Sequence, residues 1–231
     1  MAHILDRPVW SALTGRHAGF AEGGALARRY QPSVIPFAAA RDASDESLRA
    51  LAALPRPGEE MMIVEADRIV LPRGLSVLVA AHVAQIVLVT PPAKAPDHCV
   101  ERLTEADAPE MLALAQLTHP GPFTLGAQAL GAFHGIRIDG HIAAMAGVRM
   151  RQEGHVEISG VCTHPDFQGR GLARRLSVFM TRRVLDEGDT PYLHTFSTNA
   201  AAIGLYRSIG YEVRTTLNVV MVRAEEHAAA A

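Results

Sequence analysis

Cysteine is nearly missing from this chain: its 231 residues include two, Cys99 and Cys162, and neither sits in a close pair or at a metal-type spacing. That excludes a disulfide-stapled framework and a cysteine-based metal centre, and it fits a reducing cytoplasm. Charge of one sign is missing as well. A formal net charge of −2 gives no broad field to attract nucleic acid or an acidic membrane, so an anionic ligand has to be held by a local site. Nor is there a long hydrophobic run. The most apolar stretch, Val77 to Val89, is broken by His82 and Gln85 and is too short to cross a bilayer. The opening MAHILDRPVW has no apolar core behind a basic start. The expectation is a cytoplasmic protein, neither exported nor membrane-embedded, that acts on a small ligand and has no nucleic-acid or membrane partner.

With close to half of its residues apolar, the chain can bury a large core and make one full domain or two smaller ones. The proline-rich joint Thr90-Pro91-Pro92-Ala93-Lys94-Ala95-Pro96 favours extended chain and places a boundary near residue 97. This gives an N-terminal α/β region over 1–96, a second domain over 97–225 and an Ala-rich, disordered tail over 226–231. In the first region, Ser44 to Leu54 reads as a short helix, while Met61 to Val64 and Val83 to Thr90 read as buried strands. No catalytic pattern stands out there.

The second region is richer. Thr104-Glu105-Ala106-Asp107 resembles a capping box ahead of an apolar-faced helix that ends before His119-Pro120-Gly121. Asp139-Gly140 then joins two strands as a tight hairpin, and His155 to Thr163 reads as a third. Leu172, Leu176, Phe179, Met180 and Val184 recur at helical spacing opposite Arg174, Arg175, Arg182 and Arg183, which predicts an amphipathic helix lying on a sheet. Pro191 to Ser197 reads as a strand. Asn199 is placed to N-cap a helix over Ala200 to Ser208, and Gly210 ends it before the alternating strand Tyr211 to Val222.

Between the third of these strands and the amphipathic helix lies Gln168-Gly169-Arg170-Gly171. A plain turn needs one glycine. Two, at the opening of a helix, leave backbone N–H groups free to hold an anion, most often phosphate. Arg170, and with less weight Arg174 or Arg175, can add phosphate contacts. Other nucleotide-binding patterns fail on spacing, since there is no G-x-x-x-x-G-K-[ST] and no G-x-G-x-x-G followed by an acidic residue at the end of a second strand. Cys162 and His164 could suggest a metal or a Cys-His nucleophile, but Cys162 belongs to no close Cys pair and to no metal-type spacing. The scattered histidines His119, His134, His141, His155 and His194 show no i, i+4 helical pairing, and read as surface or hydrogen-bonded core.

Gln168-Gly169-Arg170-Gly171-Leu172-Ala173 resembles the Q/R-x-x-G-x-G/A motif of the GNAT acetyltransferase superfamily, after its fourth strand and at the start of its main helix. Asn199-Ala200-Ala201-Ala202-Ile203-Gly204-Leu205-Tyr206-Arg207-Ser208-Ile209-Gly210-Tyr211 is similar to its second signature, and Cys162-Thr163-His164-Pro165 resembles the FR47-like branch. The resemblance covers roughly residues 98 to 223. It implies an α+β GNAT fold with a mixed, mostly antiparallel sheet and establishes nothing about residues 1 to 96, for which a smaller α/β region, a degenerate copy of the same fold, is a separate expectation.

The resemblance further implies acetyl-CoA as cofactor, with its pyrophosphate on the backbone from Gly169 to Ala173 and its thioester arm along Val161, Cys162 and Thr163. Val161 N–H becomes the oxyanion donor. Tyr206 becomes the general acid at the sulfur, Glu157 a base acting directly or through water, and Asn199 a cap with a second role at the cofactor. The implied activity is N-acetyl transfer by direct attack on an amine of a small molecule or peptide. The alternative is a non-catalytic acyl-CoA-binding or sensor module, which would need neither Tyr206 nor a base. The loops that set the acceptor, Thr118 to Gly131 and the N-terminal part, contain no strong acidic or basic cluster.

Overall fold

The computed structural model describes residues 3–93 and 99–225. The chain gathers into two compact units, one built from residues up to 32, 36–83 and 216 onward, the other from 33–35 and 84–215. The boundary expected near residue 97 and the tail expected over 226–231 lie outside the described residues. The units change over at 83/84 and 215/216, inside two long strands. Among the described residues no helix is long and apolar enough to cross a membrane.

The first unit opens with helix α1 (Pro8–Thr14), started by its proline at the first turn. Strands β1 (Ala21–Gly23), β2 (Ala27–Tyr30) and β3 (Ala38–Ala40) form a small antiparallel sheet in that order. Helix α2 (Asp45–Ala52) is capped by Ser44, whose hydroxyl accepts from Ser47 N at 3.3 Å. Strand β4 (Glu60–Glu65) follows where Met61 to Val64 predicts one. Its Met61 and Ile63 pack with Ala27, Ala38, Leu51, Leu75 and Val222 as the core of this unit. Strand β5 (Leu75–Leu88) is much longer than expected. Residues 76–80 are exposed on both sides of the pleat, so no period-two pattern betrays them.

The second unit runs through β6 (Glu101–Leu103), α3 (Ala108–Thr118), β7 (Phe133–Ile138), β8 (His141–Gln152), β9 (His155–Thr163), α4 (Leu172–Asp186), β10 (Thr190–Phe196), α5 (Ala200–Arg207) and β11 (Tyr211–Ala224). The capping box expected at Thr104 is present, with Asp107 Oδ2 accepting from Thr104 N at 2.7 Å. Asp139 and Gly140 both take positive φ, 52° and 84°, as a type I′ hairpin between β7 and β8 requires. From β6 through β7 and β8 to β9 the pairing is antiparallel, and β10 pairs with β9 in parallel. The sheet is mixed and mostly antiparallel, as expected.

Helix α4 lays Leu172, Leu176, Met180 and Val184 on Ala144, Ala146, Val156 and Ile158. These are the residues that the helical spacing predicts, each worth about 1.5–3 kcal/mol for a fully buried large side chain. A second cluster joins Val178 of α4 to Tyr206 and Ile209 of the α5 segment and to Leu193 of β10. Helix α3 packs Met111 and Leu114 with Phe133, Met145 and Cys162.

One histidine sits at odds with this core. His134 of β7 is 4% exposed, its Nδ1 is buried without a hydrogen-bond partner, and its ring centroid lies 5.0 Å from that of Phe179. Burial first, and then the nearby Arg183 and Arg102, push its pKa down to about 4. The folded pKa lies below the unfolded value, so the unfolded chain takes up the proton first as pH falls below about 6.5. The stability that neutral His134 leaves intact above that pH is lost on the way down to about pH 4. His134→Leu should therefore reduce the loss of unfolding free energy between pH 7 and pH 4.5 by about 2 kcal/mol. Urea titrations at the two pH values measure it, and equal losses in both proteins would refute it.

Candidate functional site

The site grows out of an interruption in β9. Its register against β8 slips: Cys162 faces Met145 but Ser159 faces Gly147, so Gly160 and Val161 together oppose Ala146. This is a β-bulge, and Gly160 accommodates it with φ of 65°. The position tolerates nothing larger, because a Cβ on Gly160 would stand 2.8 Å from the Phe133 ring. On its other edge β9 pairs with β10 only from His155 to Glu157, against Thr190 to Tyr192. Among the described residues that ladder goes no further, although β9 continues to Thr163 and β10 to Phe196. The backbone of Val161, Cys162 and Thr163 thus has an unladdered edge. Thr163 Oγ1 is buried beside it with no hydrogen-bond partner, an atom that a bound polar group would satisfy.

After β9 the chain makes a short turn over Pro165–Phe167, passes Gln168 in extended conformation, and reaches two left-handed glycines, Gly169 (φ 75°) and Gly171 (φ 73°). Gly171 is the N-cap of α4, and no side chain caps the helix. A Cβ added to either glycine would meet nothing of the protein within 4 Å. The glycines therefore serve the backbone turn and approach from outside, and no internal packing requires them. Uncapped N–H groups with the helix dipole behind them fit a diphosphate. Arg170 is exposed, with its guanidinium carbon 5.2 Å from the centre of the Phe167 ring. Arg175 donates to Cys99 Sγ at 2.9 Å. Leu172 is core, and Ala173 is half-buried.

Two further expected residues come from α5. Asn199 Oδ1 accepts from Ala202 N at 3.0 Å, which makes it the N-cap. Tyr206 is buried, with its ring 6.1 Å from that of Tyr211. Burial, helped by the Cys162 thiol nearby, pushes its pKa up to about 12, so it holds its proton at neutral pH. Burial likewise pushes Cys162 up to about 11.

Glu157 differs most from expectation. It is fully buried and faces away from α4, since its neighbours Val156 and Ile158 pack beneath that helix. Arg149 Nε donates to its Oε2 at 2.9 Å and Arg149 Nη2 to its Oε1, which also lies 2.8 Å from His194 Nδ1. Beyond His194 the network continues: Gln85 Nε2 is 3.1 Å from His194 Nε2, and Arg214 Nε donates to Gln85 Oε1 at 2.5 Å. Arginine only donates, so the Gln85 oxygen faces Arg214 and its amide NH2 faces the histidine. His194 Nε2 is then the acceptor, and Nδ1 carries the proton given to Glu157. Burial alone would raise the Glu157 pKa, but Arg149 and then His194 outweigh it and bring it down to about 2. A carboxylate so held has little affinity for a proton at neutral pH.

Sequence reading did not single out Arg149 or the Gly160 bulge, and it left His194 among the scattered histidines. A glycine inside a strand pattern and an arginine in an apolar strand were the signals available.

Residues 130–220 match the model of the FR47-like protein family. Acetyltransferase YE1169 of Yersinia enterocolitica is 30% identical over 123 residues, covering 52% of this chain and 79% of its own. N-alpha-acetyltransferase RimI of Mycobacterium tuberculosis is 40% identical over 58 residues, 24% of this chain and 34% of its own. The crystal structure of an acetyltransferase of the GNAT family from Novosphingobium aromaticivorans superposes with a TM-score of 0.92 at 38% identity, over 97% of this chain and 100% of its own. A GCN5-related N-acetyltransferase from Kribbella flavida shares the fold at 18% identity and a TM-score of 0.61, over 96% of each chain. The chain belongs to the GNAT acetyltransferase superfamily, in its FR47-like branch.

The buried network has a consequence for stability. Replacing Glu157 by Leu leaves the Arg149 guanidinium without its carboxylate, which should cost about 3–5 kcal/mol and lower the thermal midpoint by roughly 10 °C. Adding Arg149→Met should recover part of the loss, because the pair is then replaced as a whole. Thermal melts of the two variants decide it, and a single variant melting within about 2 °C of wild type would contradict the network's role.

Proposed function

We propose that this chain is an acetyl-CoA-dependent N-acetyltransferase that transfers an acetyl group directly to an amine bound beside the cofactor. The observation that carries the reading is the pair of left-handed, outward-open glycines at the uncapped start of α4, next to the unladdered edge of β9. The backbone from Gly169 to Ala173 is assigned to the diphosphate, with Gln168 and Arg170 flanking it. Val161, Cys162 and Thr163 are assigned to the pantetheine arm, where the orphaned Thr163 hydroxyl gains a partner. All these residues fall in the second unit, and the transferase activity is assigned there.

The cofactor supplies an acetyl group activated as a thioester. Val161 N–H is assigned to the carbonyl oxygen as negative charge builds on it, the kind of preorganised donor that is worth more in a dry site than in water. Over the whole reaction an N–C bond replaces a C–S bond, the amine releases one proton, and the departing sulfur gains one. Tyr206, protonated up to about pH 12, is assigned to give that proton and to recover it from solvent. Asn199 keeps its capping role and holds the start of the helix that carries Tyr206. Glu157 is reassigned: with both oxygens occupied and its pKa near 2, it holds Arg149 and His194 in place, and the base role expected from sequence is withdrawn.

Two variants test the reading after thioester consumption has been followed with a panel of amines. Gly171→Val should abolish acetyl-CoA binding in calorimetry while the protein still folds, since the new side chain projects into the space given to the diphosphate and a β-branched residue disfavours the left-handed turn that the cradle requires. Unchanged binding in a folded variant would remove the cradle. Tyr206→Phe should keep cofactor affinity and melting temperature and lower kcat by up to about a hundredfold. Wild-type turnover would leave Tyr206 a packing residue only.

A further inference from the structure

The first unit has a cavity of about 210 Å³, and every residue that lines it belongs to that unit. An apolar cavity of about 150 Å³ is enough to take up benzene, so there is room here for a small organic molecule. The floor is apolar. Leu48 and Leu51 of α2, Ile63 of β4 and Ile69 from the segment after β4 line it, and Leu51, Ile63 and Ile69 are part of the packing of the unit's core. Val70 lines the same space while 48% exposed, a large apolar side chain that a ligand would cover.

The walls are tied to one another by the protein itself. The Arg7 guanidinium donates from Nη1 to Arg41 O, from Nη2 to Ala40 O, and from Nε to Glu65 Oε1 at 3.2 Å, which joins the end of β3 to the end of β4. Asp42 accepts from Ser44 N at 3.0 Å and from Arg41 Nε at 2.9 Å, which fixes the approach to α2. Arg7 and Asp42 are therefore committed to the frame. Three other polar groups on the lining are not: among the described residues, Glu65 Oε2, the Asp67 carboxylate and the Arg68 guanidinium have no hydrogen bond or ion pair.

What the rim still offers is carboxylate oxygen for a cation and a guanidinium fork for a carboxylate, beside one apolar floor. A zwitterion with an aliphatic body matches all three. We propose that this cavity binds a free α-amino acid with a branched aliphatic side chain, its ammonium group on Glu65 and Asp67, its carboxylate on Arg68 and its side chain on Leu48, Leu51 and Ile63. A charged side chain would bring an unpaired ion onto that floor, which is costly. A peptide N-terminus would lack the carboxylate that Arg68 takes. The site lies in the first unit and is independent of the acetyltransferase reading, and its test needs neither CoA nor an acceptor amine.

The test is a ligand-observed NMR titration of the full chain with L-leucine. Leucine should bind, and three analogues should each bind about fivefold more weakly or worse: glycine, which lacks the body, L-leucinamide, which lacks the carboxylate, and 4-methylpentanoate, which lacks the amine. Arg68→Gln and Asp67→Asn should each weaken leucine by about fivefold or more with the thermal midpoint unchanged, since both side chains are exposed and have no described partner. Ala43→Trp, which fills the cavity from an exposed lining position, should abolish binding. Absence of leucine binding overturns the proposal, as does leucinamide or 4-methylpentanoate binding as tightly as leucine, or leucine affinity unchanged in Arg68→Gln and Asp67→Asn. Should Ala43→Trp fail to fold, the two rim variants decide alone.

Discussion

The ion pair of Glu157 sits where the sheet changes character. Glu157 is the last residue of β9 paired with β10, and from there its carboxylate reaches back to Arg149 on β8 and forward to His194 on β10. A sheet that loses a ladder inside its core should fray, since each unpaired buried amide is expensive. Here side-chain bonds across three strands take over where backbone bonds stop. The carboxylate there is fully buried with Arg149 and His194 on its oxygens, and removing a partner would leave a buried charge uncompensated, which holds the three strands to this arrangement.

Two more departures from ideal geometry follow along the same chain segment. The bulge at Gly160 turns the backbone of Val161 out of register with β8, and Phe133 fills the space a side chain at 160 would have used. The strand then runs into Gly169 and Gly171, both left-handed. Glycine is the residue that adopts this region without a Cβ penalty. Three left-handed glycines within a dozen residues concentrate unfavourable chain entropy in one segment. The core under α4 and α5, rich in Leu176, Met180, Val184 and Leu193, offsets that cost elsewhere, a distribution typical of segments shaped for a ligand.

Much of this was legible in the sequence because it is local. The Thr104 box, the Asp139-Gly140 hairpin, the apolar stripe of α4 and the Asn199 cap each depend on residues within a few positions of one another, and each appears where its pattern predicts. The glycine turn was legible for the same reason. The N-terminal half of β5 was not, because residues exposed on both sides leave no alternation. Glu157 was legible as a carboxylate in a strand but not as a partnered one, since Arg149 and His194 reach it through pairings that only the sheet order brings about. Gln85 and Arg214 are further still, joined to it through His194 alone.

The same burial explains why the chain's own protons stay where they are around β9. Desolvation pushes Tyr206 up to about 12 and Cys162 up to about 11, so both remain protonated near neutral pH. Cys162 is thereby disarmed as a nucleophile, although it sits on the strand to which we assign the thioester arm, because only a thiolate attacks efficiently. That is consistent with transfer straight to the acceptor, with no acyl group lodged on the protein. Glu157, brought down to about 2 against the same desolvation, is fixed in the opposite state. With these three groups locked, none of them serves as a base near neutral pH, so in the proposed transfer the acceptor amine has to reach its uncharged form without their help.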